Sequence, residues 1–211
     1  EVCAQVALGS LSWIGGARFE IRAHIKARPG VLILMNHQSL IDIPVLGKVV
    51  TGGYPSVIAR ARYRTGIPLI SHMIRLYGHI TVNPGNRDRG LLRELRRRAM
   101  ELEQPLGLYA EGTRSKDGEL QPFRTSGLRT ILTCREWEVY IVVVDGLWRA
   151  GRFKDLVANV SSIDAVADVV GPFEFRPGRD DVKQFIPEME RRMSDKLSQL
   201  RREKKKATID A

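Results

Sequence analysis

Short apolar runs alternate with amphipathic stretches along most of the chain. Two of these runs, Val31–Met35 and Val139–Val144, are continuously apolar, which is typical of strands buried on both faces of a parallel sheet. Further strands are predicted at residues 19–25, 56–60, 78–82 and 106–109, and two more between Val157 and Phe175.

The stretches between these strands carry helix signals. Ser39 can cap a helix that runs to about Val50, and Pro68 can begin one that reaches Tyr77. Helices are also predicted at residues 88–103, 125–135 and 181–205. In the last of these, apolar residues recur on one face, at Phe185, Met189, Met193, Leu197 and Leu200.

Strands that alternate with helices predict an α/β fold in which helices cover a mostly parallel central sheet. An apolar N-terminal helix at Val2–Ile14 and a basic amphipathic C-terminal helix flank this sheet. Val2–Ile14 is either an ordinary helix, or an interfacial helix or the remnant of a longer anchor. No run reaches 18 consecutive apolar residues, so no complete transmembrane helix is predicted.

The chain of 211 residues is strongly basic, with 34 Lys and Arg against 24 Asp and Glu and a net charge of +10. Such an excess favours anionic partners, namely phospholipid surfaces, phosphorylated substrates or nucleic acid. Basic residues gather at 60–64, 87–98 and 201–206, which suits an anionic membrane surface, although each cluster alone is compatible with a solvated face. Two cysteines, Cys3 and Cys134, provide no disulfide framework, which indicates a reducing cytosol.

The segment that follows the strand Val31–Met35 contains His37 and Asp42. Five positions correspond to about 140° around a helix axis, so the two side chains would not share a helical face. They can meet if His37 lies in the loop and Asp42 in the first turns of the next helix. Asp42 would then fix the imidazole tautomer, and the other ring nitrogen could take a proton from a bound hydroxyl. A purely structural contact between a loop histidine and a helix carboxylate is the alternative.

A second polar segment, Glu111–Ser115, directly follows another predicted strand. Arg114 can hold a phosphate through two hydrogen bonds, and Gly112 lets the backbone approach closely. Thr113 and Ser115 can donate from their hydroxyls, and Glu111 can orient Arg114 or accept from a polyol hydroxyl. The alternative is a solvated turn, because Lys, Asp and Gly follow at 116–118. In open α/β sheets sites gather at the carboxyl ends of strands, so both segments are predicted to build one site.

Other common catalytic signatures are missing from the sequence. It contains no G-x-S-x-G elbow, no phosphate-binding loop and no dinucleotide fingerprint. His24, His72 and His79 show no metal-ligand spacing and are interpreted as structural. With no activated protein nucleophile in the sequence, the simplest chemistry uses a hydroxyl of the substrate as the nucleophile.

The two polar segments resemble motifs of the glycerolphosphate acyltransferase superfamily, especially bacterial-type 1-acyl-sn-glycerol-3-phosphate acyltransferases. Asn36-His37-x4-Asp42 matches the first block of that family, and Glu111–Ser115 matches the third. Further similar stretches are the middle region at 59–68 and 78–82, the basic segment at 123–127 and the fourth, apolar block at 139–144. The match covers roughly residues 17–175.

The resemblance implies transfer of a fatty acyl group from acyl-CoA or acyl-carrier protein to the sn-2 hydroxyl of lysophosphatidate, which gives phosphatidate. It implies His37 as the base and Asp42 as its partner, with no metal, no cofactor and no covalent acyl-enzyme. The implied substrate-binding residues are Asn36, Arg87, Glu111, Gly112, Thr113, Arg114, Ser115 and Arg124. An oxyanion stabiliser is also needed, and backbone N–H groups near Gly112 and in the His37 loop are candidates between which the sequence does not choose.

With this resemblance the chain divides into three predicted parts. These are an apolar or interfacial segment at 1–16, an acyltransferase domain at 17–180, and a basic helix and tail at 181–211. The expected location is the cytoplasmic face of an anionic membrane, with the protein peripheral or monotopic. A lysophospholipid and an acyl donor are the expected partners.

The chain also departs from the family pattern. The second block usually ends in an Arg that helps to hold the acceptor phosphate, but Pro84 stands there, and Arg87 is the candidate substitute. Ala110 replaces the usual Pro before Glu111, and Asp145 occupies an expected Pro of the fourth block. A different lysolipid, or a small hydroxyl or amine acceptor, therefore stays open, as does an inactive lipid- or phosphate-binding homologue. Nucleic acid is not an expected partner, because no recognisable nucleic-acid module is present.

Overall fold

The structure of this chain is a computed structural model that describes residues 2–66, 70–82 and 89–209. Within these ranges the strands are β1 (Arg18–Ile21), β2 (Ile25–Lys26), β3 (Val31–Met35), β4 (Val50–Thr51), β5 (Ser56–Arg60), β6 (Ile80–Val82), β7 (Leu106–Tyr109), β8 (Trp137–Asp145) and β9 (Asp164–Phe175). The α-helices are α1 (Val2–Gly15), α2 (Asp42–Val49), α3 (Ile70–Leu76), α4 (Arg89–Glu101), α5 (Thr125–Leu132), α6 (Phe153–Asn159) and α7 (Val182–Ile209).

The described strands form one main sheet in the order β1-β9-β8-β3-β7-β5-β6, while β2 and β4 pair separately. Every pairing in the main sheet is parallel except that between β8 and β9. The predicted α/β class with a mostly parallel, helix-covered sheet is therefore confirmed. Strand β3 lies between β7 and β8, so the carboxyl ends of these three strands meet at one edge of the sheet.

Side chains of β3 alternate between two cores on opposite faces of the sheet. Leu32 and Leu34 pack with residues of α4, α5 and α7, whereas Val31, Ile33 and Met35 pack with residues of α1 and α2. All five side chains are fully buried. This alternation follows from the two-residue period of a strand, and it explains why a strand covered on both faces is continuously apolar.

Helix α7 covers the first of these faces with the predicted apolar stripe. Met189, Met193, Leu197 and Leu200 are buried in the core, and Phe185 packs edge-on against Phe175. The prediction for this helix is therefore confirmed. Some of its basic residues are paired with carboxylates or carbonyls of the domain, as the bonds from Arg201 to Glu119 and from Lys204 to Asp164 show.

The prediction of two strands between Val157 and Phe175 is wrong. Residues 153–159 form helix α6, and residues 164–175 form the single strand β9. Leu156 and Val160 are four residues apart, so both can turn toward the core on the α1 and α2 face. Strand β9 stays continuous because it pairs with β8 on one side and with β1 on the other.

Several element boundaries also differ from the predictions. The predicted strand at 19–25 is divided between β1 and β2. Helix α2 begins at Asp42 and not after Ser39, whose hydroxyl donates to the carbonyl of Ala150. The predicted helix starts at Pro68 and Asp88 lie outside the described residues. Of the helices in the described part, none has the length and apolar character needed to cross a bilayer.

Candidate active site

Two polar segments leave the sheet side by side at the carboxyl ends of β3 and β7. Met35 stands opposite Tyr109 in the parallel register, so His37 and Glu111 emerge as neighbours although 74 positions separate them. The N–H of Ser115 donates to the carbonyl of His37 at 2.7 Å, which joins the two segments directly. The topology thus brings both sequence motifs into one site.

Asp42 is the centre of the first segment. Its Oδ2 lies 2.7 Å from Nδ1 of His37 and accepts from the N–H groups of Gln38 and Ser39 at 2.7 and 2.8 Å. The side chain is fully buried. Two backbone donors and the first turn of α2 stabilise a negative charge here, so the loop 37–39 is wrapped around a carboxylate. Because an ionised carboxylate only accepts, Nδ1 carries the proton and Nε2 has the free lone pair.

The imidazole of His37 stacks on the ring of Tyr109, with 4.2 Å between the centroids and 22° between the planes. Its side chain remains 19% exposed and lines the cavity described below. Burial, with the charge of Asp42 nearby, raises the pKa of the Tyr109 hydroxyl well above its usual value, so that this group stays neutral. The imidazole ring of His37 is therefore held by Asp42 at one edge and by Tyr109 on one face.

Glu111 is 2% exposed and connects the site to the segment before α5. One carboxylate oxygen accepts from the N–H of His37 and the other from the N–H of Gln121, both at 2.7 Å. Burial raises the pKa of Glu111 to about 7, although the two backbone donors act in the opposite direction. This carboxylate holds the backbone of the His37 loop, which differs from the expected contact with Arg114 or with a polyol hydroxyl.

The turn after Glu111 depends on glycine. Gly112 has a φ of +65°, and a Cβ atom there would lie 2.6 Å from Cδ of Arg124. The left-handed backbone and the close approach of the Arg124 stem both require the absence of a side chain. The N–H of Arg124 donates to the carbonyl of Ala110, so this arginine is fixed beside the turn.

A third segment, residues 146–155 after β8, also belongs to the site. The N–H of Leu147 donates to Oε1 of Gln38 at 2.9 Å, and the hydroxyl of Ser39 donates to the carbonyl of Ala150 at 2.5 Å. Arg114 donates to the carbonyl of Gly151. These bonds attach the third segment to both of the others.

The three segments surround a cavity of about 920 Å³, which is large enough for a lipid-sized ligand. His37 forms part of its wall. The mouth is cationic, with Arg114, Lys116, Arg124 and Arg152 in its wall. The inner arm is apolar, and its wall includes Val57, Ile58, Ile74, Leu91, Leu95 and Leu128.

Residues 17–144 match a model of the Acyltransferase family, which covers more than half of the chain. This chain belongs to the Acyltransferase family. A 1-acyl-sn-glycerol-3-phosphate acyltransferase from Cocos nucifera is 26% identical over 127 residues. Those residues are 59% of this chain and 41% of the relative, so the chain spans about two-fifths of that protein.

The fold is similar to a solved member of the same enzyme class. The crystal structure of the 1-acyl-sn-glycerophosphate (LPA) acyltransferase PlsC from Thermotoga maritima matches with a TM-score of 0.69 at 19% identity. The match covers 94% of this chain and 78% of that chain. At this identity the likeness shows the fold, and together with the family match it confirms the resemblance found in the sequence.

The structure separates the predicted site residues of this chain into two groups. His37, Gly112, Thr113, Arg114, Ser115 and Arg124 line the cavity. Asn36, Asp42 and Glu111 lie buried behind it. Asn36 exchanges two hydrogen bonds of 2.8 Å with the backbone of Val144, so its amide joins β3 to β8 and is not directed at a substrate. Arg87 lies outside the described residues.

Sequence reasoning missed Tyr109, Gln38 and the whole segment after β8. The signal for that segment was present, because a continuously apolar strand at 139–144 predicts a further strand whose carboxyl end belongs to the same edge. No pattern predicts that β8 pairs directly with β3. The pairing of β8 with β3 is what brings Arg152 to the cavity.

Proposed function

We propose that this protein is an O-acyltransferase that moves a fatty acyl group from acyl-CoA or acyl-carrier protein to a lysophospholipid hydroxyl. The proposed acceptor is the sn-2 hydroxyl of lysophosphatidate, and the product is phosphatidate. One observation carries the proposal: the hydrogen-bonded pair of His37 and Asp42 borders a cavity whose wall has both cationic and apolar side chains. A lysophospholipid has the same division, with an anionic headgroup and an apolar acyl chain.

The proposed reaction uses His37 as the general base. Nε2 takes the proton of the acceptor hydroxyl while the oxygen attacks the thioester carbonyl carbon. The tetrahedral intermediate collapses, the C–S bond breaks, and the leaving thiolate receives the proton from the imidazolium. An ester and a thiol result, and His37 returns to its neutral form without a metal or cofactor. Asp42 stabilises the imidazolium and keeps Nε2 toward the cavity.

The cations of the mouth are the proposed partners of the acceptor phosphate. The guanidinium of Arg114 lines the cavity and donates to the carbonyl of Gly151, and its positive charge and planar set of N–H donors suit a phosphate. Arg124, Arg152 and Lys116 stand in the same wall. A phosphate held among these groups would place the neighbouring hydroxyl toward His37.

The apolar arm is the proposed site of the acyl chain. Branched and aliphatic side chains from β5, α3, α4 and α5 form its wall. Each methylene group buried there contributes about 0.8 kcal/mol to binding. The arm would therefore hold a long acyl group with its thioester beside His37.

Most backbone N–H groups around His37 already donate to an acceptor within the protein. Few of them therefore remain as candidates for the donor that stabilises the oxyanion. The N–H groups of His37, Gln38, Ser39, Gly112 and Ser115 all have acceptors. Thr113 lies in the cavity wall, and its N–H has no acceptor among the described residues. Thr113 N–H is the proposed donor to the oxyanion of the tetrahedral intermediate.

The first experiment measures acyl transfer from labelled acyl-CoA and from acyl-carrier protein to a panel of lysolipids. The wild-type chain is compared with His37→Ala and with His24→Ala, an exposed histidine outside the site. Transfer to lysophosphatidate that disappears in His37→Ala alone supports the proposal. Transfer only to another lysolipid or to a small acceptor overturns the proposed acceptor. Equal rates in the His37→Ala variant overturn the proposed base, and no transfer to any acceptor indicates an inactive lipid-binding homologue.

The proposed setting is the cytoplasmic face of an anionic membrane, with the protein peripheral or monotopic. Its supports are the net charge of +10 and the lipid character of the proposed acceptor. The place at which such a membrane would contact the molecule is a separate question.

A further inference from the structure

Exposed apolar side chains gather on the face of the sheet that carries α1 and α2. On α1, Trp13 is 89% exposed and Ile14 78%. On α6, Phe153 and Val157 are 68% and 63% exposed, and they lie one helical turn apart on the same side. Isolated exposed apolar residues are ordinary, but an exposed tryptophan among several others indicates a surface that is covered by another phase or partner.

The two helices meet at their C-terminal ends. A Cβ atom on Gly15 would lie 2.3 Å from a methyl group of Val160, directly after α6. Just beyond, the N–H of Arg18 donates to the carbonyl of Ile163 at 2.8 Å. Trp13, Ile14 and Val157 therefore lie within about one helical turn of this junction, and Phe153 lies one turn further along α6.

The composition of these helices differs from that of an ordinary surface. None of the 14 residues of α1 is charged. Helix α6 has no buried residue, and its acidic residue Asp155 lines the cavity. A helix face without charge gains little from contact with water, whereas Trp and Phe side chains are stable at a lipid–water boundary.

Cations without a carboxylate partner in the described part of the chain lie at the other end of α6. Arg152 and Lys154 flank Phe153 in the sequence, and Arg149 lies over the ring of Trp148. By contrast, Arg97 and Arg98 of the basic helix α4 pair with Glu94, and Arg201 of α7 pairs with Glu119. The charge next to the apolar residues is thus available to an anionic surface.

We propose that Trp13, Ile14, Phe153 and Val157 form a docking surface for an anionic lipid bilayer. The apolar side chains enter the boundary between headgroups and acyl chains, and Arg149, Arg152 and Lys154 contact the phosphates. This inference rests on the proposed function for the identity of the lipid, and it goes further by assigning the contact to α6 together with α1.

The position of α6 gives this docking a consequence for catalysis. Arg152 and Asp155 line the cavity, and Phe153 lies between them in the sequence. A membrane on the docking surface would therefore place the headgroup layer beside the cavity mouth. A lysolipid could move from the bilayer into the cavity without crossing water.

The test measures binding of the full chain to phosphatidylcholine vesicles with and without phosphatidylglycerol. The double variant Phe153→Ser with Val157→Ser is expected to bind anionic vesicles about 10- to 100-fold more weakly than the wild type. Met100→Ser is the matched control, because Met100 is 53% exposed on α4, which packs on the opposite face of the sheet. Equal binding by the double variant, or an equal loss in Met100→Ser, would overturn the proposal.

Two further measurements separate docking from general electrostatic attraction and from catalysis. Arg149→Gln with Lys154→Gln is expected to weaken binding about fivefold per charge, and more than Lys205→Gln with Lys206→Gln. Equal effects of the two pairs would overturn the assigned site.

His37→Ala is expected to bind vesicles like the wild type. Normal vesicle binding without acyl transfer by the wild type would therefore reject the proposed function alone.

Tryptophan fluorescence reports the docking directly. Trp137 is buried in the core, while Trp13 is almost fully exposed. On addition of anionic vesicles the emission is expected to shift to shorter wavelength, and the shift is expected to be clearly smaller in Trp13→Phe, which keeps an apolar ring but leaves the partly buried Trp148. A shift of equal size in Trp13→Phe would show that Trp13 stays in water and would overturn its place in the docking surface.

Discussion

The segment after β3 and the segment after β8 meet at the same cavity but are built in opposite ways. In the first, the backbone donors of residues 37–39 are all bound by Asp42 and Glu111, and both carboxylates are buried. The second exposes Arg152 and Phe153 and has hydrogen bonds to the first through Leu147 and Ala150. This contrast suggests that the first segment determines the rate of the chemical step and the second determines the binding of substrate.

The largest effect on activity is expected from Asp42→Asn, which removes the carboxylate at the centre of the segment after β3. An asparagine amide would place a donor where the carboxylate now accepts, and it would not select the tautomer with the proton on Nδ1. We expect kcat to fall by about 10³- to 10⁴-fold, as is usual when the carboxylate of a triad is neutralised. Steady-state kinetics check the rate, and thermal unfolding checks the fold.

Asp195→Asn is the matched control for this variant, because Asp195 is exposed on α7 and pairs only with Arg191 among the described residues. We expect it to keep the wild-type kcat. A retained kcat with a raised KM in Asp42→Asn would contradict the assignment of the first segment to the chemical step.

A smaller loss of rate is expected from Glu111→Gln. The glutamine side chain has one acceptor oxygen, so the N–H of either His37 or Gln121 loses its partner. We expect kcat to fall by about 10- to 100-fold with little change in KM, since the base would be displaced but not removed. Glu103→Gln, at an exposed glutamate, is the control. A change confined to KM would instead indicate a direct contact of Glu111 with the acceptor.

The buried carboxyl group of Glu111 is expected to make the difference in stability between the wild type and Glu111→Gln depend on pH. Burial raises the pKa of Glu111 from 4.5 to about 7 in the folded chain, so the folded state retains a proton that the unfolded state has released. The wild type should therefore lose stability relative to Glu111→Gln as the pH rises from about 4.5 to about 7. The loss should reach at most about 3 kcal/mol and stay constant above that range.

Chemical denaturation of both proteins across this pH range measures the difference, and contributions of the other titrating groups largely cancel between them. A difference that does not change with pH would show that Glu111 titrates normally in the folded chain. A difference that favours the wild type as the pH rises would contradict the sign of the shift.

The parts of the site that follow from local pattern were predictable, and those that depend on strand order were not. The apolar runs at 31–35 and 106–109 indicate strands, and polar residues directly after them indicate a site at their carboxyl ends. The meeting of His37 with Asp42 follows from the position of Asp42 at the start of α2. Each of these inferences uses residues that are close in sequence.

The bond between Glu111 and the backbone of His37 depends on the pairing of β3 with β7, which are distant in sequence. The contribution of Arg152 depends in the same way on the pairing of β3 with β8. The end of helix α6, at 157–159, falls in a predicted strand because the seven residues of this helix are too few for a clear helical period, and β-branched residues follow it. A single sequence does not carry the order of strands in a sheet.

The smallest effect is expected from Arg152→Ala, which tests the second segment. Its guanidinium is one of several cations at the mouth, so the remaining ones would still hold an acceptor phosphate. We expect KM for the acceptor to rise about 5- to 10-fold, as for the loss of one partly exposed charge-assisted hydrogen bond, with kcat unchanged. Arg179→Ala, at an exposed arginine outside the cavity wall, is the control. Kinetics with a monomeric short-chain acceptor exclude an effect through membrane docking. If kcat fell instead, the segment after β8 would take part in the chemical step, and the division between a segment for rate and a segment for binding would be wrong.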